Sequence, residues 1–522
     1  MEISEIMQAI TNSPEDGHLY ILLGDKYAEG GCVNQAYLCY EQAWHCNAQD
    51  TEAIAKMEES KLNAGFAVHP ASFIILSYNS MHIMKECLQA IRTCCAEGSY
   101  EVIVVDSAST DGVREWLMQQ DDIILLLNDR FEGFSAGCNQ GAKRAQIDND
   151  IFLLNNDAIL TPRAFFYMRL ALYSDERFGA VGPISANVIY EQLYDNIQRS
   201  HDEWMQLATE INHPSENPVQ FAHWLQGHAL LIKRRVWDQV GMFDTDFKFG
   251  GHEDVEYGIR LNLAGWHLGI CKNAFIYHYG STSMKTVSET YRVSLERNYR
   301  LLEEKYDIPL RMVLQSAYYG PENLVDIDID ADIKILQINC GCCNSLNLLK
   351  YRYPNITTYA IETNSVAVQI ASNYTHAYCL NVDTDLLPFD DNSLDYIFFF
   401  EIERCESLQQ VLPRLKRLLK PGGHLIIEGK NANHISVIES LIHGSMESKL
   451  LAGCKRLYTT DDLHKLVLSC GFSIPRLQWR YNSAYSSLTE SQQRILDTIL
   501  SLPDAKDRNT YIHTSVTIDA QK

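Results

Sequence analysis

Positive charge is scarce in this chain: 44 Lys and Arg stand against 67 Asp and Glu in 522 residues, a balance of −23. A field of that sign repels nucleic-acid backbones and anionic headgroups, so no nucleic acid is expected as a partner. A small anionic ligand held locally by a metal stays open. Long apolar runs are also lacking. The longest, such as Ile123 to Leu127 and Tyr396 to Phe400, fall far short of the ~18 residues that cross a bilayer, so no membrane span is expected and they read as buried strands. Met1 to Glu5 show neither a basic segment nor a following apolar stretch, which gives no secretory signal and an expected cytoplasmic location. Paired-cysteine patterns are missing as well. The 15 cysteines are scattered, and Cys94-Cys95 and Cys342-Cys343 have no second pair at zinc-finger spacing, so free thiols in a reducing compartment are expected.

What is present is ordinary globular composition, 46% hydrophobic and 21% charged, at a length suited to about three domains. The fold class expected is α/β multidomain. The limits expected are a helical segment over 1–66, an α/β domain over 67–312, an acidic linker over 313–332 and a second α/β domain over 333–522. Residues 1–66 read as helix throughout, broken at Glu29-Gly30-Gly31. Tyr20, Leu23, Gly24, Tyr27, Ala36, Tyr40 and Ala43 lie where a tetratricopeptide repeat has its large, small and aromatic residues, so 17–50 resembles one such repeat, with Ala48 at the usual proline. One repeat cannot bury both its faces. It is read either as a docking surface for a protein partner or as a cap on the next domain.

From Ala71 strands alternate with helices, which signals a parallel sheet. Strands are expected at Ser72 to Asn79, Glu101 to Asp106, Asp122 to Leu127 and Asp150 to Leu154, and helices at Met81 to Cys95 and Ser135 to Ala145. Polar residues stand at the carboxyl ends of these strands, where open α/β sheets bind ligands: Tyr78 and Asn79, then Asp106, then Asn155, Asn156 and Asp157. Asp106 is placed to accept hydrogen bonds from a ribose or base edge. Asp111, five residues on, reads by itself as a helix cap. Asp157 offers the oxygen that a hard divalent cation shares with waters and phosphates; otherwise it caps the turn before Pro162. A third cluster, Gly250-Gly251-His252-Glu253-Asp254, brings adjacent carboxylates to the start of a helix.

Taken together, Asp106 to Asp111, the run from Gly133 to Gly141 that includes Asn139, Asn155-Asn156-Asp157, Gly241 to Asp244, Glu253-Asp254 and His278-Tyr279-Gly280 resemble the family 2 glycosyltransferases of GT-A fold, in the branch that includes rhamnosyltransferases. That resemblance implies an inverting transfer from a nucleotide-sugar donor to a glycan or protein acceptor, with Mn²⁺ or Mg²⁺ as cofactor. It implies that Asp106 contacts the nucleotide, with Tyr78, Asn79, Asp111, Gly133, Asn139, Asn155 and Asn156 on the donor side. Asp157 and His278 become the metal ligands and Asp254 the base, with Glu253 beside it. Trp224, Gln226 and His252 are assigned to the acceptor side. The chemistry suits the residue types: a sugar hydroxyl needs a carboxylate to take its proton, and a departing diphosphate needs a cation. His278 also reads as a core histidine, and Trp224 as a packed aromatic.

The second α/β unit begins with Lys334 to Ile338 and a turn holding one glycine, Gly341; a second strand ends on Glu362, and Asp383 follows. With Lys420-Pro421-Gly422-Gly423, these resemble the class I S-adenosylmethionine-dependent methyltransferases over 333–520. The resemblance implies cofactor contacts at Gly341, Glu362 and Asp383. The first motif departs from the family: Gln337 replaces an acid, Asn339 and Cys343 replace glycines, and Arg404 replaces a histidine after Glu403. Two readings follow, a working methyltransferase or a degenerate domain kept for packing or binding. A non-catalytic scaffold is the rival for the whole chain.

Overall fold

Four helices open the chain, Ile3–Asn12, Gly17–Glu29, Val33–Cys46 and Thr51–Lys61. The break at Gly30-Gly31 is the expected one, and the first helix is separated from the second by a turn at Ser13-Pro14 that the even helical pattern conceals. Tyr20 donates its hydroxyl to the Pro14 carbonyl across that turn, at 2.9 Å. The second and third helices approach so closely that a Cβ on Gly24 would lie 2.5 Å from the Tyr40 ring.

The computed structural model describes residues 1–280, 288–314, 327–328, 330, 332–444, 454–480 and 488–522. Most of the expected acidic linker, Asp326 included, lies outside the described residues, as does Ser281 after the His278-Tyr279-Gly280 motif. The chain divides into two compact units, Met1–Ala317 and Tyr318–Lys522.

The sheet of the first unit is built from β1 (Ala71–Ser77), β2 (Tyr100–Ser107), β3 (Ile124–Asn128), β4 (Asp150–Asn155), β5 (Ala158–Ile159), β6 (Phe178–Ser185), β7 (Val219–Ala222), β8 (Ala229–Ile232) and β9 (His267–His278). Their order is β3-β2-β1-β4-β8-β6-β9-β5, with β7 also on β9. The stretch β3-β2-β1-β4 is parallel, and β8 runs antiparallel to β4 and β6. One continuous core joins this sheet to the N-terminal helices. Tyr20 meets the Phe166 ring edge-on at 5.7 Å, and buried Arg169 pairs with Glu41 of the third helix. Every residue of that third helix from Gln35 to Ala43 is buried, because the second and fourth helices flank it and the helix Ala164–Leu172 also lies against it.

The second unit holds β10 (Lys334–Ile338), β11 (Thr357–Glu362), β12 (His376–Cys379), β13 (Leu394–Phe399), β14 (Leu419–Lys430), β15 (Ser473–Arg480) and β16 (Ser515–Gln521) in the order β12-β11-β10-β13-β14-β16-β15. All pairings up to β14 are parallel, and the last two are antiparallel. The segment Lys420-Pro421-Gly422-Gly423 sits inside β14 as an irregularity, where the partner of Leu394 is Leu419 and that of Tyr396 is His424. Two α/β units and a helical N-terminus match the class implied by the alternating strand and helix signals.

Candidate active site

In a sheet ordered β3-β2-β1-β4, connections leave β1 in one direction and reach β4 in the other, which opens a crevice outside the carboxyl ends of those strands. A cleft of about 240 Å³ lies there, with Tyr78, Asn155, Asn156, Asp157 and His278 on one wall and Gln226, His228, Glu253 and Asp254 on the other. A larger cavity, about 360 Å³, lies near the amino ends of β1 and β4. Its polar groups are engaged: Asp150 accepts from the Tyr173 hydroxyl at 2.6 Å and the Arg234 N–H at 2.9 Å, and Lys233 donates to the Asp175 carbonyl at 3.0 Å. The reactive groups converge in the smaller cleft.

Asp157 and His278 are joined by a two-residue ladder. Asp157 immediately precedes β5, whose Ala158 pairs with His278 at the end of antiparallel β9, and the Tyr279 N–H donates to the Asp157 carbonyl at 2.9 Å. The register sets His278 Nε2 3.3 Å from Asp157 Oδ1, both side chains being buried. Asn187 fixes the histidine from behind, donating its amide to the His278 carbonyl at 2.8 Å. A carboxylate oxygen and an imidazole nitrogen this close suit a shared divalent cation. Among the described residues no group of three or more His, Cys, Asp or Glu is placed to hold a metal ion.

Glu253 and Asp254 open the helix Glu253–Leu263, and the four residues before them all have left-handed backbone: Phe249, Gly250, Gly251 and His252 at φ 63°, 102°, 99° and 68°. Two of these carry a Cβ, a conformation costing about 1–3 kcal/mol each and held by surrounding contacts. The holder here is Asn298. Fully buried on the helix Ser288–Tyr306, it donates its amide to the carbonyls of Gly251 at 2.9 Å and of Lys248 and Gly250 at 3.3 Å. Asp254 Oδ2 accepts from the Gly227 N–H at 3.0 Å and Oδ1 from the Val255 N–H at 2.8 Å. Burial raises the Asp254 carboxyl above its ordinary range despite these bonds. Burial together with the neighbouring Asp254 charge pushes Glu253 up to about 8, and its Oε2 has no hydrogen-bond partner. Half-buried His252 is shifted down by burial.

The expected donor-side residues separate into two groups. Tyr78, Asn155 and Asn156 line the cleft; Tyr78 packs against the Phe131 ring at 5.7 Å, and Asn156 donates to the Ser80 hydroxyl. The others shape the wall from outside it. Asn79, at φ 46°, accepts from the Thr110 N–H at 2.7 Å, and Asp111 accepts from the Met81 and Val113 N–H groups at 2.9 and 3.2 Å, capping two helix starts. Asn139 is locked in a two-way bond with the Phe243 backbone, at 2.8 and 2.9 Å. Gly133, at φ 92°, passes so near Phe249 that a Cβ would stand 3.2 Å from its backbone nitrogen. Asp106 is fully buried, 3.3 Å from Arg114 and accepting from the Ser109 N–H at 3.2 Å, with Oδ1 unpartnered.

On the other wall Gln226 faces the cleft and exchanges two hydrogen bonds with the Ile189 backbone, at 2.5 and 3.2 Å. Trp224 lies behind the wall, edge-on to Tyr190 at 5.5 Å, and supports the Glu253 helix: a Cβ on Gly258 would lie 2.8 Å from its side chain. His228, not singled out from sequence as a site residue, stands in the cleft 5.0 Å from the His278 ring and bonds the Ser185 hydroxyl at 2.8 Å. Burial first, then the neighbouring His278, hold its imidazole well below the usual range, so it is neutral. Its place two residues after Gln226, which the resemblance assigns to the acceptor side, was the available signal. Phe131 and Phe249, stacked at 6.4 Å over the cleft mouth, lie 118 positions apart by number and carried none.

In the second unit Gly341, Glu362 and Asp383 lie as follows. Glu362, buried at the end of β11, accepts from the Gly341 N–H at 3.2 Å and from both arms of Arg404, at 2.9 and 3.2 Å. Asp383 accepts from the Cys405 thiol at 2.9 Å and the Glu406 N–H at 3.1 Å. Asn339 and Cys343 adopt φ 57° and 77°, the left-handed conformation that glycine enters without strain.

Comparison with known proteins agrees with this division. Residues 69–299 match the model described as glycosyltransferase like family 2, and residues 336–427 match one described as methyltransferase domain. An N-acetylglucosaminyl-diphospho-decaprenol L-rhamnosyltransferase of Mycobacterium tuberculosis is 26% identical over 215 residues, which is 36% of this chain and 69% of that protein. An uncharacterized glycosyltransferase of Bacillus subtilis is 22% identical over 297 residues, 48% of this chain and 74% of its own. The crystal structure of GalNAc-T7 with UDP, GalNAc and Mn²⁺ overlaps 40% of this chain and 43% of its own at 13% identity and a TM-score of 0.33. The chain therefore carries a family 2 glycosyltransferase-like domain followed by a methyltransferase-type domain.

Proposed function

We propose that the first unit is a metal-dependent, inverting glycosyltransferase that moves a sugar from a nucleoside-diphosphate sugar to a hydroxyl of a glycan or protein acceptor. The observation that carries this reading is the cleft itself. It holds the Asp157-His278 pair on one wall and the Glu253-Asp254 pair on the other, at the carboxyl ends of a parallel sheet. Bound Mn²⁺ or Mg²⁺ would supply Lewis-acid stabilisation to the leaving diphosphate, with Asp157 Oδ1 and His278 Nε2 as the protein ligands.

The remaining chemistry belongs to the chain's own residues. Asp254 is fixed by two backbone N–H groups and sits at a helix start, where negative charge is favoured, so its carboxylate is oriented to take the acceptor hydroxyl's proton. Glu253, neutral near pH 7, adds no second negative charge to repel the donor's phosphates. Neutral His228 keeps the wall beside His278 free of a competing positive charge. Tyr78, Phe131 and Phe249 furnish aromatic surface for a base or sugar ring. Direct attack on the anomeric carbon needs one base and no protein nucleophile, and the result is inversion.

The test is donor turnover by the full chain against a panel of nucleotide sugars, with L-rhamnosyl donors first because one relative is named for that sugar. Turnover should require Mn²⁺ or Mg²⁺ and should fall at least about 100-fold in Asp157→Ala and in Asp254→Asn, the loss typical of removing a general base or a charge stabiliser. Absence of turnover with every donor refutes the proposal.

A further inference from the structure

In the second unit a nucleoside cofactor would need a free carboxylate to bind. An acid at the end of the second strand of a Rossmann-like unit serves by accepting hydrogen bonds from a ribose diol. Glu362 stands at that place, yet its two oxygens are already served. Oε1 accepts from the Thr363 N–H at 2.7 Å, the Thr363 hydroxyl at 3.0 Å and Arg404 at 2.9 Å; Oε2 accepts from the Gly341 N–H at 3.2 Å and Arg404 at 3.2 Å. Oε1 also accepts from the Asn364 N–H at 3.4 Å, so a carboxylate with about four lone-pair sites is met here by six donors.

Arg404 is not a surface arginine that swings aside without consequence. Its guanidinium forks across both Glu362 oxygens and also reaches Glu401 at 3.2 Å, a planar two-toothed arrangement in which neither charge faces bulk water alone. The neighbouring strand ends are tied in the same way. Asn339, after β10, donates its amide to the Phe400 carbonyl at 2.9 Å and the Glu401 carbonyl at 3.3 Å, after β13. Cys340, Cys342 and Cys343 are buried beneath it. The ends of β10, β11 and β13, over which a nucleoside would lie, are therefore cross-linked by side chains of the chain itself.

We infer that Arg404, paired with Glu362, fills the ribose position of the methyltransferase-type unit, so that the unit does not take S-adenosylmethionine. The residues present and the cofactor that the fold implies do not fit one another, and no methyl transfer is assigned to this chain. The inference stands apart from the glycosyltransferase reading, which concerns the other unit.

Calorimetric titration of the full chain with S-adenosylmethionine, and separately with S-adenosylhomocysteine, tests it directly. No saturable heat is expected; a dissociation constant below about 0.1 mM for either ligand overturns the inference. The variant Arg404→His with Asn339→Gly, which removes the guanidinium and the amide tie, should bind at least about tenfold more tightly than the parent chain. If that variant keeps the parent's unfolding transition and still binds nothing, Arg404 is not the obstacle and the assignment fails. Glu362→Gln supplies a readout independent of ligand. A carboxylate held in reserve for a cofactor costs stability and its removal raises the unfolding temperature, whereas one half of a working internal ion pair lowers it when removed. Lowering is expected, and a rise contradicts the inference.

Discussion

Glu253 and Asp254 are neighbours in the first turn of one helix, yet only Asp254 has both oxygens held by backbone N–H groups. That difference, invisible in the letters of the sequence, separates a carboxylate aimed by backbone N–H groups that partly offset its burial from one pushed further up by burial and by its charged neighbour. Glu253 keeps its proton in the folded chain up to about pH 8, whereas the unfolded chain releases it near the ordinary value of 4.5. Between those limits the folded state binds more protons, so stability must fall as pH rises through the window. Glu253→Gln removes that slope, and urea unfolding at pH 5, 7 and 9 should show the variant gaining on the parent chain steadily toward pH 9. Asp157, Asp254 and His278 line one cleft, and the sequence points to each because it stands at the end of an apolar strand or at a helix start. Asp111 and Asn139 were not legible, since an Asp or Asn that fits a donor site fits a helix cap or a backbone clamp equally well, and only the fold shows which N–H groups arrive.

Elements explain what individual residues do not. The strands β1 to β4 were readable from apolar runs bounded by polar ends, but the ladder between β5 and β9 was not, because β5 is two residues long and carries no period. It is this ladder that sets His278 beside Asp157, across a separation of 121 positions by number. The same holds for the loop 249–252. Its glycines announce a turn, while the helix that restrains it begins at Ser288 and shows no sign of that duty. Asn298 is here a positioning residue: three carbonyls of a strained loop converge on one amide, and the loop delivers Asp254. Asn298→Asp keeps the size and removes the donor, setting a carboxylate against three carbonyl oxygens. If the first unit is a glycosyltransferase, kcat should fall about 10–100-fold through misplacement of the base while the affinity for a nucleoside diphosphate and Mn²⁺ is little changed. Steady-state kinetics with parallel calorimetry checks the split. Gly24→Ala tests an element contact of another kind, the helix crossing at Tyr40, and overpacking there should cost about 1–3 kcal/mol in chemical denaturation.

At the scale of the first unit, the helical N-terminus is inseparable from the α/β sheet. Hydrophobic pattern predicted a helical piece over 1–66 and left open whether its surface is a docking face or a cap. Packing decides how its third helix is used: the helix Val33–Cys46 is buried against Ala164–Leu172, and one hydrophobic core runs from Ile6 to Tyr277. The Arg169-Glu41 pair lies inside this contact, with side chains 2% and 9% exposed, and Arg169 also donates to the His69 carbonyl at 3.0 Å. A buried ion pair adds little net stability over a well-packed apolar pair, but removing one member strands the other charge in a low dielectric. Glu41→Ala should therefore destabilise the first unit by about 3–5 kcal/mol. Arg169→Met combined with Glu41→Leu should recover most of that loss, because no charge remains to be left unpaired. A double-mutant cycle in urea checks both, and it has a structural corollary. If the helices and the sheet are one cooperative body, helical circular dichroism and the fluorescence of Trp204 and Trp237, both buried in that core, must change together for the first unit in every variant. Helices that melt ahead of the tryptophans would show instead that residues 1–66 are an appended module, and the large cost expected for Glu41→Ala would then fall to the smaller value of a surface ion pair.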